Sequence, residues 1–216
     1  MILDPKRLNG KFAEVRSAIE AKPHFKLGDV VEFVPEGPGT FDSKKTYRYV
    51  QIQDIFDGGH SSTSVRGWQL PQRARHTAAP GDIFIGKIWN SVNKWFMAGG
   101  ETEDLVVTNG CYRVRIKKEK QDKLPDLIAG LCSEAYRVQM RGFATGSDGL
   151  AEIGESDAKE VVLPELQTKE ARVEAQRYVQ MYLKGHATLH DYVSDLESDG
   201  QSFPFIPQRK SVFVQV

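Results

Sequence analysis

Apolar residues recur at helical spacing in three segments of this 216-residue chain, and each segment predicts a helix. The first follows Asp4 and Pro5, which suit a helix start, and it ends before Pro23. The second spans residues 125–140, and the third spans about 168–196. The residues predicted to face inward in the first two helices are Leu8, Phe12, Val15, Ile19, Leu127, Leu131 and Cys132.

Shorter apolar runs, several of them alternating with polar residues, predict strands around these helices. Asn109 and Gly110 predict a tight hairpin turn between two of the strands. The pattern indicates an α/β fold, with a mixed sheet and flanking helices, followed by a C-terminal long helix. The runs are residues 30–34, 46–52, 81–89, 94–98, 104–107, 111–118 and 161–166, with 211–216 as a candidate last edge strand.

One polar stretch, GWQLPQRARH at residues 67–76, lies between two predicted strands and offers almost nothing to a core. It predicts a long loop. For the chain as a whole, we expect a first domain over residues 1–163, a helical spacer or partner-docking region over 164–198, and a tail over 199–216.

The formal net charge is zero, but the charges are unevenly placed. Basic residues outnumber acidic ones between Lys44 and Lys118, and the balance reverses between Glu119 and Asp199. A nucleic-acid interface would therefore have to lie within the basic part of the chain, because the whole surface is not polycationic.

The two cysteines, Cys111 and Cys132, belong to no CxxC motif and lie among apolar residues, so we expect buried free thiols in a reducing compartment. No signal peptide or membrane-spanning apolar run is recognisable, which predicts a cytoplasmic protein without membrane contact.

The sequence carries none of the motifs that mark a familiar catalytic site. It has no GxxxxGK[ST] phosphate loop, no GxSxG elbow and no GxGxxG after a strand. His186 and His190 have zinc-ligand spacing, but Ala187 stands where a zinc protease has its glutamate, and no third ligand is evident. We predict no catalytic and no metal-binding residues, although carboxylates that meet only in the folded chain leave a metal-dependent nuclease open.

Several segments together match one known pattern. LDPKRLNGKFAEVRSAIEA and FKLGDVVEF suit an opening helix and strand, TYRYVQIQDIFDGG an aromatic strand ending in Asp-Ile and Gly, and PGDIFIGKIWNSVNKWFMA a Gly-Asp-Ile strand with its hairpin. LPDLIAGLCSEAYRVQMRGFATGSDGLAEI and VVLPELQTKEARVEAQRYV follow as a helix with its loop and as an exit strand with its helix. In this order they resemble the target recognition domain of the specificity (S) subunit of type I restriction-modification systems, over most of residues 1–184.

The resemblance implies a prokaryotic, cytoplasmic DNA-reading subunit of a phage-defence complex that does no chemistry itself. Its expected partners are double-stranded DNA, an adenine methyltransferase subunit and, in some assemblies, a translocating nuclease subunit. The methyltransferase would supply S-adenosylmethionine and flip the target adenine, so no cofactor is expected in this chain.

The chain departs from a full S subunit, which has two recognition domains separated by long helices. It has one predicted domain, and its long helical segment is short for the family and carries Gly185. Two arrangements stay open. The chain is half of an S subunit that associates with a second copy through residues 165–198, or it is a stand-alone relative with a different partner.

Three polar segments carry side chains that suit DNA: residues 60–76, 87–95 and 141–147. Arg can make two parallel hydrogen bonds to guanine, Asn and Gln can do so to adenine, and Lys and Arg bind phosphates. The glycines of the third segment allow close backbone approach. The predicted DNA-binding residues are Arg66, Gln69, Gln72, Arg73, Arg75, Lys87, Asn90, Asn93, Lys94, Arg141, Thr145 and Ser147.

Other interpretations of the same regions stay open. Trp68, Trp89 and Trp95 also suit packing, and Arg113 and Arg115 alternate as they do on a solvated strand. The acidic C-terminal segment also fits a protein-interaction or regulatory module that reuses the fold without binding DNA.

Overall fold

The computed structural model of the chain describes residues 10–146 and 150–183, in which short helices surround two four-stranded sheets and two smaller strand pairs. The α-helices of the described residues are α1 (Gly10–Glu20), α2 (Leu27–Val30), α3 (Leu124–Cys132), α4 (Glu134–Phe143), α5 (Glu155–Lys159) and α6 (Lys169–Leu183). The strands are β1 (His24–Lys26), β2 (Val31–Val34), β3 (Thr46–Val50), β4 (Ile55–Phe56), β5 (Gly59–His60), β6 (Thr63–Arg66), β7 (Ala74–Thr77), β8 (Ile83–Gly86), β9 (Trp95–Met97), β10 (Leu105–Thr108), β11 (Cys111–Ile116) and β12 (Val162–Pro164). None of the helices in these residues is long and apolar enough to cross a membrane.

The two four-stranded sheets differ in the direction of their strands. The first sheet has the order β6-β3-β10-β7, in which β3 and β10 are parallel and the other pairs are antiparallel. The second sheet, β2-β11-β8-β9, is antiparallel throughout. The pairs β1–β12 and β4–β5 are also antiparallel. The predicted fold class, a mixed α/β fold with flanking helices and a C-terminal helix, is confirmed.

Apolar side chains on alternating strand positions build the core in layers, since successive residues of a strand point to opposite faces. Ile83 and Ile85 on one face of the second sheet pack with α3 and α4 in the largest cluster. Phe84 and Phe96 on its other face pack against the first sheet. The outer face of the first sheet carries a third cluster, made of Tyr47, Tyr49, Ala74 and Val106 with Phe41, Val65 and Leu70 packed against it.

The single helix predicted over residues 125–140 is wrong, because Ser133 divides it into α3 and α4. Ser133 has extended backbone angles, and its hydroxyl accepts from Tyr136 N–H (3.1 Å) and donates to the Gly130 carbonyl (2.6 Å). A serine that caps a helix in this way satisfies backbone groups that an apolar pattern does not reveal. The predicted inward residues Phe12, Ile19, Leu127, Leu131 and Cys132 are buried, and Val15 is partly buried.

The loop predicted over residues 67–76 is also wrong in part, because its last three residues, from Ala74 onward, belong to a strand. Thr63–Arg66 and Ala74–Thr77 form β6 and β7, the edge strands of the first sheet. Leu70, between them, packs against the outer face of that sheet. β6 could not be predicted from the sequence, because three of its four side chains are exposed and it carries no apolar alternation.

The described part of the C-terminal helix, α6, packs against α3. Ala175 and Val179 are buried in the main core, and Arg172 Nη1 lies 3.2 Å from Oδ2 of the buried Asp126. The other Asp126 oxygen accepts a hydrogen bond from Leu166 N–H (2.7 Å). Burial raises the pKa of Asp126, and the Leu166 amide and Arg172 oppose that rise.

Several predicted features lie outside the described residues. They are the predicted start of the first helix with Asp4, Pro5 and Leu8, the predicted helix beyond Leu183 with Gly185, the pair His186 and His190, the region 199–216, and the candidate site residue Ser147. The boundary expected between residues 163 and 164 stays a prediction.

Candidate nucleic-acid interface

The strand register defines two ends of the molecule. β10 ends at Thr108, which pairs with Ala74 of β7, and β11 begins at Cys111, which pairs with Gly86 of β8. The turn at residues 109–110 therefore lies beside the start of β7 and the end of β8. We call this end of the two sheets the turn end, and we call the end at which β10 begins the opposite end.

Polar residues from three parts of the chain meet at the turn end. Lys87 N–H donates to the Gly110 carbonyl (3.1 Å), which joins the end of β8 to the turn. Trp89 N–H donates to the Ala151 carbonyl (2.9 Å), which joins the next residues to the stretch after α4. The predicted DNA-binding residues gathered at this end are Arg73, Lys87, Asn90, Asn93, Lys94, Arg141 and Thr145.

Arg66 and Gln69 lie at the opposite end instead. Arg66 is the last residue of β6 and pairs with Thr46 at the start of β3. Its guanidinium donates to the Lys44 carbonyl (2.8 Å), and its backbone N–H donates to Gln69 Oε1 (3.1 Å). These contacts hold the turn rather than leave both groups available. Gln72 is exposed on the segment between β6 and β7.

Several of the Lys and Arg side chains predicted to bind DNA already have partners within the chain. Arg75 Nη1 donates to the Pro38 carbonyl (2.7 Å), and Lys94 Nζ donates to the Ile55 carbonyl (2.7 Å). Lys87 Nζ lies 3.5 Å from Glu36 Oε1. Such contacts reduce what these side chains can offer a ligand, because an incoming group has to replace them.

Arg73 and Arg141 differ from those cations. Both are exposed, and within residues 10–146 and 150–183 neither guanidinium makes a hydrogen bond or an ion pair. Arg141 lies over the indole of Trp89, with its central carbon 5.6 Å from the ring centroid. The side chains of Arg141 and Trp89 line an open groove of about 300 Å³, so the Arg141 guanidinium is reachable from solvent.

The three tryptophans have different environments. Trp95 is fully buried, and its indole N–H donates to Asp57 Oδ1 (2.8 Å), while Arg137 binds the other oxygen of that carboxylate. This buried network joins β9, the β4–β5 hairpin and α4 beneath the turn end. In contrast, Trp89 is 44% exposed and Trp68 is 71% exposed.

Sequence reasoning missed polar and aromatic residues that follow β3. Gln51 and Gln53 are exposed, and Phe56 is 47% exposed. Because β3 is parallel to β10, its carboxyl end also lies at the turn end. The amides were visible in the sequence, but the direction of β3 relative to β10 was needed to place them.

Burial changes the titration of groups between the sheets. It lowers the pKa of His76, whose Nε2–H donates to the Cys111 carbonyl (3.1 Å), and it raises the pKa of the Cys111 thiol to about 12. The prediction of two buried free cysteines is confirmed. Among the described residues, no group of three or more His, Cys, Asp or Glu side chains is placed to hold a metal ion.

No protein-family model and no curated protein sequence matches this chain. Solved structures do match it. The HsdS subunit from Thermoanaerobacter tengcongensis has a TM-score of 0.54 at 16% sequence identity, over 82% of this chain and 45% of that chain. A structure from work on complex assembly and conformational transition of the type I R-M system has a TM-score of 0.57, with the same identity and coverage.

The chain thus spans less than half the length of the solved chains that it matches. The chain therefore has the fold of the matched part of a type I restriction-modification S subunit (HsdS).

Proposed function

We propose that this chain is a non-catalytic subunit that recognises a specific sequence in duplex DNA for a restriction-modification or related phage-defence methyltransferase complex. The observation that carries the proposal is the turn end, where Arg73, Arg141 and Asn90 are exposed together on a fold shared with HsdS. Arginine and asparagine side chains are suited to both tasks of a DNA reader, which are phosphate binding and base-edge recognition.

We further propose that the chain works in a complex, in which residues 165–198 associate with a second copy of the chain or with another subunit. The chain spans 45% of each matched structure. An adenine methyltransferase subunit would bind S-adenosylmethionine, and a translocating nuclease subunit would join in some assemblies. The described helix α6 begins this region and is anchored on α3.

The test is selection from a random-sequence pool of duplex DNA, with the full chain alone and with any adenine methyltransferase subunit that co-purifies. We expect one enriched sequence, and affinity for it that falls steeply with salt, because phosphate contacts release counterions. The double variant Arg73→Ala, Arg141→Ala should bind that sequence about tenfold or more weakly.

The matched control is Lys44→Ala, Lys45→Ala, which removes two cations at the opposite end and should leave affinity unchanged. A pool from which neither preparation enriches any sequence would contradict the proposal. Equal losses for the two double variants would contradict the assignment of the interface to the turn end.

A protein-interaction module without DNA is the second candidate, and Trp68 is the observation in its favour. Trp68 is the most exposed of the tryptophans, on a turn held by hydrogen bonds from Gly67 N–H to the Lys45 carbonyl (2.9 Å) and from Arg66 to the Lys44 carbonyl (2.8 Å). Aromatic side chains presented on rigid turns are common anchors of protein interfaces.

This candidate predicts that a co-purifying protein stays bound to an Arg73→Ala, Arg75→Ala variant and is lost from Trp68→Ala, in preparations free of nucleic acid. Sequence enrichment in the DNA selection, unaffected by Trp68→Ala, would reject it in favour of DNA recognition.

A further inference from the structure

Arg141 has two properties that no other predicted DNA-binding Lys or Arg has together among the described residues. Its guanidinium lies over the Trp89 ring, 5.6 Å from the centroid, and it makes no hydrogen bond or ion pair there. Arg66, Arg75 and Lys94 instead donate to backbone carbonyls. A guanidinium held over an aromatic face keeps its N–H groups available at its edges.

The Trp89 side chain is itself carried by a rigid turn. The Ser91 hydroxyl donates to the Ile88 carbonyl (2.9 Å) and accepts from Ile88 N–H (3.2 Å), and Trp89 N–H is bound by the Ala151 carbonyl. A Cβ atom on Gly86 would lie 2.1 Å from the Ser91 carbonyl oxygen, so the turn also packs tightly on β8. Trp89 therefore offers Arg141 a fixed surface.

We propose that Arg141 determines specificity at one guanine of the DNA target, and that Trp89 is the positioning residue that orients it. The inference rests on the proposed function and adds the chemistry of one contact. Arg donates two parallel hydrogen bonds to O6 and N7 of guanine in the major groove. Pre-orienting the guanidinium reduces the entropy lost when both bonds form.

A phosphate contact is the main rival for an exposed arginine. A phosphate contact adds affinity for every sequence, whereas a base contact changes preference at one position. Arg73, which is exposed and lies over no aromatic ring of the described residues, is the matched cation for the phosphate role. A third role, in which Arg141 stabilises the last turn of α4, would act on the free energy of unfolding.

The test compares binding of wild type, Arg141→Ala, Arg141→Lys, Trp89→Ala, Trp89→Phe and Arg73→Ala to the sequence enriched by the wild-type chain and to every single-base variant of it. Arg141→Ala should lose about 5- to 150-fold of preference for guanine at one position and keep the other preferences. Arg141→Lys should not restore the loss, because an ammonium lacks the planar pair of donors.

Trp89→Ala should weaken preference at that same position, and Trp89→Phe should restore most of it, since Phe still offers a ring face. Arg73→Ala should weaken binding to all sequences alike and reduce the salt dependence. Unfolding midpoints of the Arg141 variants should match wild type.

Three results would overturn the inference. They are a uniform loss of affinity in Arg141→Ala, restoration by Arg141→Lys, or a Trp89→Ala preference profile identical to wild type. Failure of the proposed function is a separate result, because the wild-type chain would then enrich no sequence at all.

Discussion

Trp68 and Trp89 are both exposed tryptophans on short turns that come soon after the end of a strand. Their surroundings nevertheless support different roles. The turn of Trp68, at the opposite end, uses the cation of Arg66 for its own hydrogen bonds. The turn of Trp89, at the turn end, leaves Arg141 over the indole with no other described partner. Exposure of an aromatic ring therefore does not identify a DNA surface. The two turns differ in whether the arginine beside the ring is available to bind a ligand.

The largest expected effect concerns the buried network beneath the turn end. Asp57→Asn keeps an acceptor for the Trp95 indole, but among the described residues it leaves Arg137 with Glu134, 4.0 Å away, as its remaining ion-pair partner. We expect a loss of about 3–5 kcal/mol in the free energy of unfolding, because a buried charge loses its partner. Urea unfolding measures this.

The matched change at the opposite end is Lys45→Ala. Lys45 pairs with Asp104 in solvent, so its removal should leave the urea midpoint nearly unchanged. If the two variants unfold at the same urea concentration, the buried network does not hold the turn end.

A matched pair of glycines separates folding from DNA recognition. A Cβ atom would lie 2.1 Å from the Ser91 carbonyl oxygen at Gly86, and 2.0 Å from the Asp42 carbonyl oxygen at Gly67. Gly86→Ala and Gly67→Ala should each destabilise the fold by about 1–3 kcal/mol, because each forces backbone apart. Only Gly86→Ala should change sequence preference, since it displaces the Trp89 turn. A changed preference in Gly67→Ala would remove the distinction between the two ends.

A smaller change in the free energy of unfolding is expected when the pH is lowered. Burial lowers the pKa of His76 in the folded state, so below about pH 6.5 the unfolded state binds a proton that the folded state excludes. The free energy of unfolding should therefore be largest above pH 6.5 and fall as the pH is lowered toward the folded pKa.

His76→Gln tests this, because Gln stays neutral and keeps an N–H donor for the Cys111 carbonyl. The variant should lose less stability than wild type between pH 7 and pH 5 in urea titrations. Equal losses would show that His76 does not contribute to the acid sensitivity.

The smallest expected effect is that of Trp68→Ala on DNA binding. Because Trp68 is 71% exposed and lies at the opposite end from Arg73 and Arg141, affinity and sequence preference should match wild type in the same selection assay. A Trp68→Ala variant that loses the enriched sequence would assign DNA contact to the opposite end.

Much of the fold could be predicted because buried strands and helices carry periodic apolar residues. Residues 104–107 and 111–118, with the turn between them, correspond closely to β10 and β11. Two features could not be predicted. The break at Ser133 depends on a side-chain cap, and β6 buries too little to leave a pattern.

The candidate site was predictable only in composition. Arg66 and Arg73 are close in sequence, yet they lie at opposite ends of the first sheet. Arg66 ends β6 and Arg73 precedes β7, and these two edge strands run in the same direction. Conversely, Arg141 and Trp89 are distant in sequence and meet in the fold. Some Arg and Lys side chains donate hydrogen bonds to backbone carbonyls of the chain itself. Local sequence spacing does not encode these tertiary contacts, so they could not be predicted.

Site-specific crosslinking tests most directly whether the turn end is the DNA surface. Cys111 and Cys132 are buried, so a photoreactive thiol reagent can be placed selectively on Asn90→Cys at the turn end or on Trp68→Cys at the opposite end. With the enriched duplex bound, we predict a DNA crosslink from position 90 and none from position 68. A crosslink from position 68 without one from position 90 would contradict the account.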